Sequence, residues 1–380
     1  MYFKDIIGQE KVKERLIRSV HEERISHAQL FSGPEGNGKF ALALAYAQYI
    51  SCRNRSETDS CGVCPSCRKY NKLAHPDLHF VFPVFKPKNA SKSVYCDDFL
   101  VQWRELVLKS PYFGLNQWGN HIQAENAQLT IYSHESESII KKLSIKPFEA
   151  EFKVMIIWLP EKMNLACSNK LLKMIEEPPV KTLFLLVTEN EADIILTIRS
   201  RTQIIRIPRI SDTDLQEFLV QTGLYDMETV AEMVHHANGN YLKALEFAEP
   251  SDDKKYFFDI FQNMMRLAYT AGRNTADIPK IMDLAEELAG IGRERQKEFF
   301  SYAMQMTREF FMSNLQKPVL VYLNRGEKDF GSRFSPFINE RNVIHFNKIF
   351  EEGYYHIVRN GNSKIIFTDA MLSLIRIIRK

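Results

Sequence analysis

Residues Gly33-Pro34-Glu35-Gly36-Asn37-Gly38-Lys39-Phe40 read G-x-x-x-x-G-K, closed by phenylalanine where a serine or threonine belongs. In a phosphate-binding loop the glycines let backbone N–H groups close around phosphates, and the lysine reaches the outer ones. If ATP binds, its contacts are Gly33, Gly36, Gly38 and Lys39. The final hydroxyl should ligate magnesium, and Phe40 offers no ligand atom. A loop kept for its turn geometry alone is the competing reading. A second cluster follows closely: Cys52, Cys61, Cys64 and Cys67, spaced C-x8-C-x2-C-x2-C. Four thiolates complete a tetrahedral zinc shell and leave no position for water, so a structural rather than catalytic zinc is expected. Cys96 and Cys167 lie apart and read as ordinary core cysteines.

Strands and helices must position these residues. Apolar runs at 28–32, 78–82, 153–158, 182–188 and 203–207 read as buried strands of a parallel sheet. Helical spacing of Val12, Leu16, Ile17 and Val20, and of Leu171, Leu172 and Ile175 before Pro178-Pro179, places helices between them. The alternation predicts an α/β domain. In an ATPase the strand at 153–158 should end in an Asp for magnesium and a Glu for the attacking water. Trp158 and Leu159 stand there instead, and Glu161 lies beyond the strand end. Two losses at one magnesium site predict that the site does not hydrolyse ATP.

From Ser211, a helix start answered by Asp214, helical periodicity runs to the end of the sequence. This predicts an α/β domain over 1–207, a small helical unit over 208–250 and a larger helical domain over 251–380. Residues 83–129, rich in Phe, Tyr and Trp between Pro, Asn and Gly, read as a partly ordered insertion whose aromatics pack. No function can be read from them.

The chain has 380 residues, 45% hydrophobic and 26% charged, with a formal charge of +3. These are values of an ordinary globular protein, too weakly basic to argue for nucleic acid by themselves. No apolar run approaches the ~20 residues of a membrane span, and the N-terminus has no secretory pattern. A cytoplasmic location without membrane partners is expected, where clustered cysteines argue for metal rather than disulfides.

Several stretches resemble the clamp-loader subunits of bacterial DNA polymerase III, the delta-prime branch among them. These are Ile6-Ile7-Gly8-Gln9, His27-Ala28 with Leu30-Phe31, and Asn169-Lys170-Leu171-Leu172-Lys173 running into Glu176-Glu177-Pro178-Pro179. To them is added Thr197-Ile198-Arg199-Ser200-Arg201-Thr202-Gln203, with Thr202 where the family usually has Cys. The resemblance covers about 1–207 apart from the insertion, and beyond 250 rests on domain order alone. It implies an AAA+ P-loop domain with a zinc module at 52–67, a helical lid and an all-α collar in a pentameric ring. It implies that Arg201 is an arginine finger acting on ATP held by a neighbouring subunit, while Arg199 is structural or superficial. Implied partners are the gamma/tau motor subunits and the clamp-opening delta subunit, and through them the sliding clamp and primer-template DNA. The family's lid carries a further arginine sensor. Gly239-Asn240-Tyr241-Leu242 resembles that place, with Leu242 where the arginine would be. Two other readings compete: an active motor subunit with an atypical magnesium site through Glu161, and a stand-alone zinc-containing DNA-binding protein.

Overall fold

The structure, a computed structural model, describes residues 1–87, 93–124, 127–249, 252–273, 275–317 and 320–378. It divides into two compact units, Met1–Leu245 and Glu246–Lys380. Pro250 and Ser251, where the sequence sets its last boundary, lie outside the described residues.

In the first unit β1 (Ala28–Ser32), β2 (Leu78–Val81), β3 (Lys153–Trp158), β4 (Thr182–Thr188) and β5 (Gln203–Arg206) form one parallel sheet in the order β2-β3-β4-β1-β5. β1, β3 and β4 are buried at every residue, which is why they read as unbroken apolar runs. β5 is an edge strand and mostly accessible. Both edge strands stop one residue short of expectation. Phe82 and Ile207 are buried just beyond the strand ends, Ile207 N still donating to Ser32 O at 2.7 Å, since an apolar run records burial and not the point where a strand ends. β1, β3 and β4 end at Ser32, Trp158 and Thr188, so the phosphate loop and its surroundings sit at the carboxyl ends of the strands. That is where open α/β sheets place their sites.

The helix Lys39–Ser51 is buried along its whole length, packed between sheet and neighbouring helices. Asn164 caps the helix Leu165–Glu176 through the Cys167 N–H at 2.8 Å. As expected, Ser211 caps the helix Asp212–Thr222 by accepting from Asp214 N at 3.1 Å. Two more helices, Met227–Ala237 and Tyr241–Ala248, complete this helical group. It is tied to the sheet domain by bonds from Ile210 N to Gly239 O and from Tyr241 N to Gly36 O, both 3.1 Å.

The insertion is more ordered than its sequence suggests. Its described residues form a 3-10 turn at Cys96–Phe99 and helices at Leu100–Lys109 and Leu115–His121, with Trp103 and Trp118 fully buried. Trp118 Nε1 donates to Pro83 O at 2.7 Å, which pins the second helix against the strand exit. Residues 88–92 and 125–126 of the insertion lie outside the described residues.

The second unit is helical throughout its described regular elements: Asp252–Ala271, Ile278–Gly290, Arg293–Asn314, Arg325–Phe334, Val343–Val358 and Ser363–Ile377, with short 3-10 turns. Phe261, Phe299, Phe310, Phe346, Phe350 and Phe367 form its centre. Phe300 stacks on Phe367 at 4.7 Å and fills the space left by Gly353.

Candidate nucleotide-type site, exposed arginine and metal centre

The phosphate loop keeps its backbone form. Gly36 and Gly38 have φ of 71° and 86°, the left-handed region that glycine enters freely, and Gly38 leads directly into the helix at Lys39. Lys39, which would meet phosphate, and the neighbouring Asn37 side chain are engaged within the chain. Lys39 is buried, donates from Nζ to Pro34 O at 3.0 Å and lies 3.8 Å from Glu189 Oε1. Burial lowers its pKa, against the opposing pull of Glu189, Glu35 and Glu161. Asn37, with no exposed surface, donates from Nδ2 to Ile207 O at 2.8 Å and accepts Lys39 N–H at 3.2 Å. Gln9 Nε2 adds bonds to Pro208 O at 2.8 Å and Asn37 O at 3.3 Å.

Beside the loop, where an NTPase holds magnesium through a hydroxyl and an aspartate, lies a block of aromatic rings. Phe40 meets Trp103 and Phe113 edge-on at 5.5 and 5.4 Å. Trp158 packs on the same two rings at 5.3 and 4.9 Å, and Trp103 stacks on Phe82 at 4.1 Å. Both replacements therefore face one cluster, completed by Trp103 and Phe113 from the insertion. Sequence reasoning missed this pairing. Its signal was two aromatic replacements at adjacent sites in a chain with an aromatic-rich insertion. Glu161 turns one oxygen, Oε1, to accept Glu189 N–H at 3.0 Å, and burial raises its pKa.

Arg201 follows the short helix Leu196–Arg199, anchored by buried Ile198. Its side chain remains 34% exposed. Nε lies 3.0 Å from Glu176 Oε2, and Nη1 donates to Thr197 O at 3.1 Å. The two sequence stretches ending in Glu176-Glu177-Pro178-Pro179 and containing Ser200-Arg201 thus meet through this ion pair. Glu176 was not singled out from sequence, because nothing local links it to Arg201.

Cys52, Cys61, Cys64 and Cys67 converge so that their sulfurs all lie within 4.8 Å of one another. Cys61 Sγ is 3.5 Å from Cys52 Sγ and 4.0 Å from Cys67 Sγ. A tetrahedral zinc with Zn–S of about 2.3 Å requires sulfurs about 3.8 Å apart, so the donor set fits. Backbone N–H groups of Cys61, Cys64 and Cys67 donate to the sulfurs of Cys52, Cys61 and Cys64 at 3.3, 3.4 and 3.5 Å. Such bonds favour thiolate over thiol. Without metal the four thiols divide: burial raises Cys52 and Cys67, whereas in Cys61 and Cys64 burial is outweighed by N–H bonds, which lower them. Cys96 and Cys167 are buried and apart from this cluster.

The family model described as "DNA polymerase III, delta subunit" matches residues 8–211, more than half of the chain. The chain belongs to that family. Among curated relatives of this clamp-loader family, DNA polymerase III subunit gamma of Buchnera aphidicola is 26% identical over 256 residues. The match covers 65% of this chain and 58% of the relative. DNA polymerase III subunit delta' of Bacillus subtilis is 24% identical over 240 residues, covering 63% and 59%. The chain thus spans under two thirds of the length of either relative. Among solved structures, a gamma subunit-related protein of Thermotoga maritima superposes with a TM-score of 0.35 at 13% identity, covering 98% of this chain and 100% of that one. With family and sheet topology together, the first unit is an α/β AAA+ domain followed in the chain by a helical region.

The region matched to the clamp-loader family contains the phosphate loop, the four clustered cysteines, Trp158 and Arg201, and ends at Ser211 where the lid-like helices begin. In those helices Asn240 Oδ1 accepts Leu242 N–H at 2.9 Å and Lys243 N–H at 3.2 Å. Leu242 brings no charge toward the loop. Among the described residues no helix is long and apolar enough to cross a membrane.

Proposed function

We propose that this chain is a delta-prime-type subunit of the bacterial DNA polymerase III clamp loader. In this reading it hydrolyses no ATP itself and supplies Arg201 to ATP held by a neighbouring motor subunit during sliding-clamp loading. The reading is carried by one observation: Phe40 and Trp158, at the two magnesium-holding positions, are packed against Trp103 and Phe113. Without an oxygen ligand at either position, and with Lys39 turned onto Pro34 O and Glu189, the site lacks the means to neutralise a transferring phosphoryl group. In this reading zinc held by Cys52, Cys61, Cys64 and Cys67 is a structural cofactor, and any ATP held by the loop is not hydrolysed there.

Arg201 suits a task in trans. A guanidinium keeps its charge and offers forked donors to phosphate oxygens. Its present partner, Glu176, is half exposed, and surface pairs of this kind contribute only ~0–1 kcal/mol. The pair is therefore readily exchanged for a phosphate. The partners in this reading are gamma/tau-type motor subunits and a delta subunit in a five-membered ring, with clamp and primer-template DNA engaged by the assembly. Residues 208–250 act as its lid and 251–380 as its collar. The competing reading, Glu161 as the ligand of an active motor site, lacks the hydroxyl and strand-end aspartate that would share the metal, since Phe40 and Trp158 stand at those positions.

The test is the DNA-stimulated ATPase of a ring reconstituted with motor and delta subunits. Arg201→Ala is expected to leave assembly intact and lower turnover by about 10³ or more, the scale of arginine-finger loss. Normal turnover in the mutant ring would falsify the assignment.

A further inference from the structure

We propose that Tyr112, carried by the insertion, takes the place of a nucleotide and locks the lid onto the phosphate loop. Tyr112 is nearly buried, and its hydroxyl accepts the Ile7 N–H at 3.0 Å. The same oxygen lies 3.0 Å from where a Cβ on Gly38 would stand, with Cε1 at 3.1 Å, so the ring end rests directly on the loop. On its other side the ring meets Tyr241 of the lid at 5.1 Å and 70°, and Tyr241 packs edge-on against Phe218 at 5.5 Å.

Tyr112 thus touches the N-terminal segment, the phosphate loop and the lid at once. A nucleotide in this site would have to join the loop, which takes its phosphates, to the lid above. Around Tyr112 the closure continues. The Tyr241 N–H donates to Gly36 O at 3.1 Å, and the Asn240 carboxamide occupies the space a side chain at Gly36 would need. The turn bearing Tyr112 is itself held, with Tyr112 N donating to Ser110 Oγ at 3.2 Å and Ser110 Oγ to Tyr112 O at 3.2 Å. The Tyr112–Tyr241 ring pair is the contact that reaches the lid, and such a pair shifts a local opening equilibrium by about two- to tenfold.

The lock rests on the reading that the loop takes no nucleotide, yet it has its own readout. Hydrogen exchange of lid amides between 211 and 245 is measured on the full chain, with and without millimolar Mg-ATP. In the wild type, lid exchange is expected to be slow and unchanged by Mg-ATP. In Tyr112→Ala it should accelerate about two- to tenfold, while β3 and β4 keep their protection. Lid exchange identical in mutant and wild type overturns the lock, and so does slowing of wild-type lid exchange by Mg-ATP. If Tyr112→Ala loosens β3 and β4 as well, Tyr241→Ala removes the contact from the lid side. Lid-selective acceleration there supports the lock, and its absence overturns it. An ATP-bound wild type would leave the role of Arg201 standing. A ring indifferent to Arg201→Ala would leave the lock standing.

Discussion

Phe40 and Trp158 each put a ring where an ATPase keeps an oxygen, and each was visible in the sequence as a departure from a motif. The sequence could not show that both rings enter one cluster with Trp103 and Phe113. That contact joins residues far apart in the chain, and motif spacing carries only local information. The same limit hid Glu176 behind Arg201. The cysteine cluster was fully legible, because a C-x2-C-x2-C run supplies most of its geometry within one turn of chain. Cys61 touches two of the other sulfurs and accepts the Cys64 N–H. Cys61→Ser is therefore expected to abolish stoichiometric zinc in the purified protein, read by metal analysis after dialysis. Full retention of zinc by the mutant would remove the metal assignment.

At the scale of elements, the sheet was legible nearly to the residue, since strands buried on both faces leave unbroken apolar runs. The insertion was not. Its helices Leu100–Lys109 and Leu115–His121 are short, and their buried face is set by rings from distant strands rather than by clean periodicity. One strand carries a pH signature. His79 in β2 is depressed to about 4 by burial first and then by Lys142 and Lys153, and its Nε2 is buried without a hydrogen-bond partner among the described residues. Between pH 6.5 and about 4 the unfolded chain binds a proton that the folded chain refuses, so stability falls as pH falls through that window. Asp77, held below its ordinary value of 3.8 by N–H bonds from residues 148–150 that outweigh burial, acts only at lower pH. The melting temperature should therefore drop on acidification across pH 6.5 to 4, and His79→Asn should flatten that drop. An equal pH slope in mutant and wild type would contradict the assignment to His79.

For the molecule as a whole, helical periodicity announced the second unit. Phe257, Ile260, Phe261, Met264, Met265 and Ala268 recur on one face of Asp252–Ala271 and are all buried. Its proposed role as a collar rests on the order of domains alone, because the family match ends at residue 211. Across the first unit the two magnesium-site positions are filled by packed rings, and the Arg201 side chain, proposed to act on another subunit, stays 34% exposed. The sharpest measurement is ATP turnover by the purified chain alone with magnesium, compared with its Lys39→Ala variant. The expected result is no turnover above background in either protein. Hydrolysis by the wild type that disappears in Lys39→Ala would contradict the account.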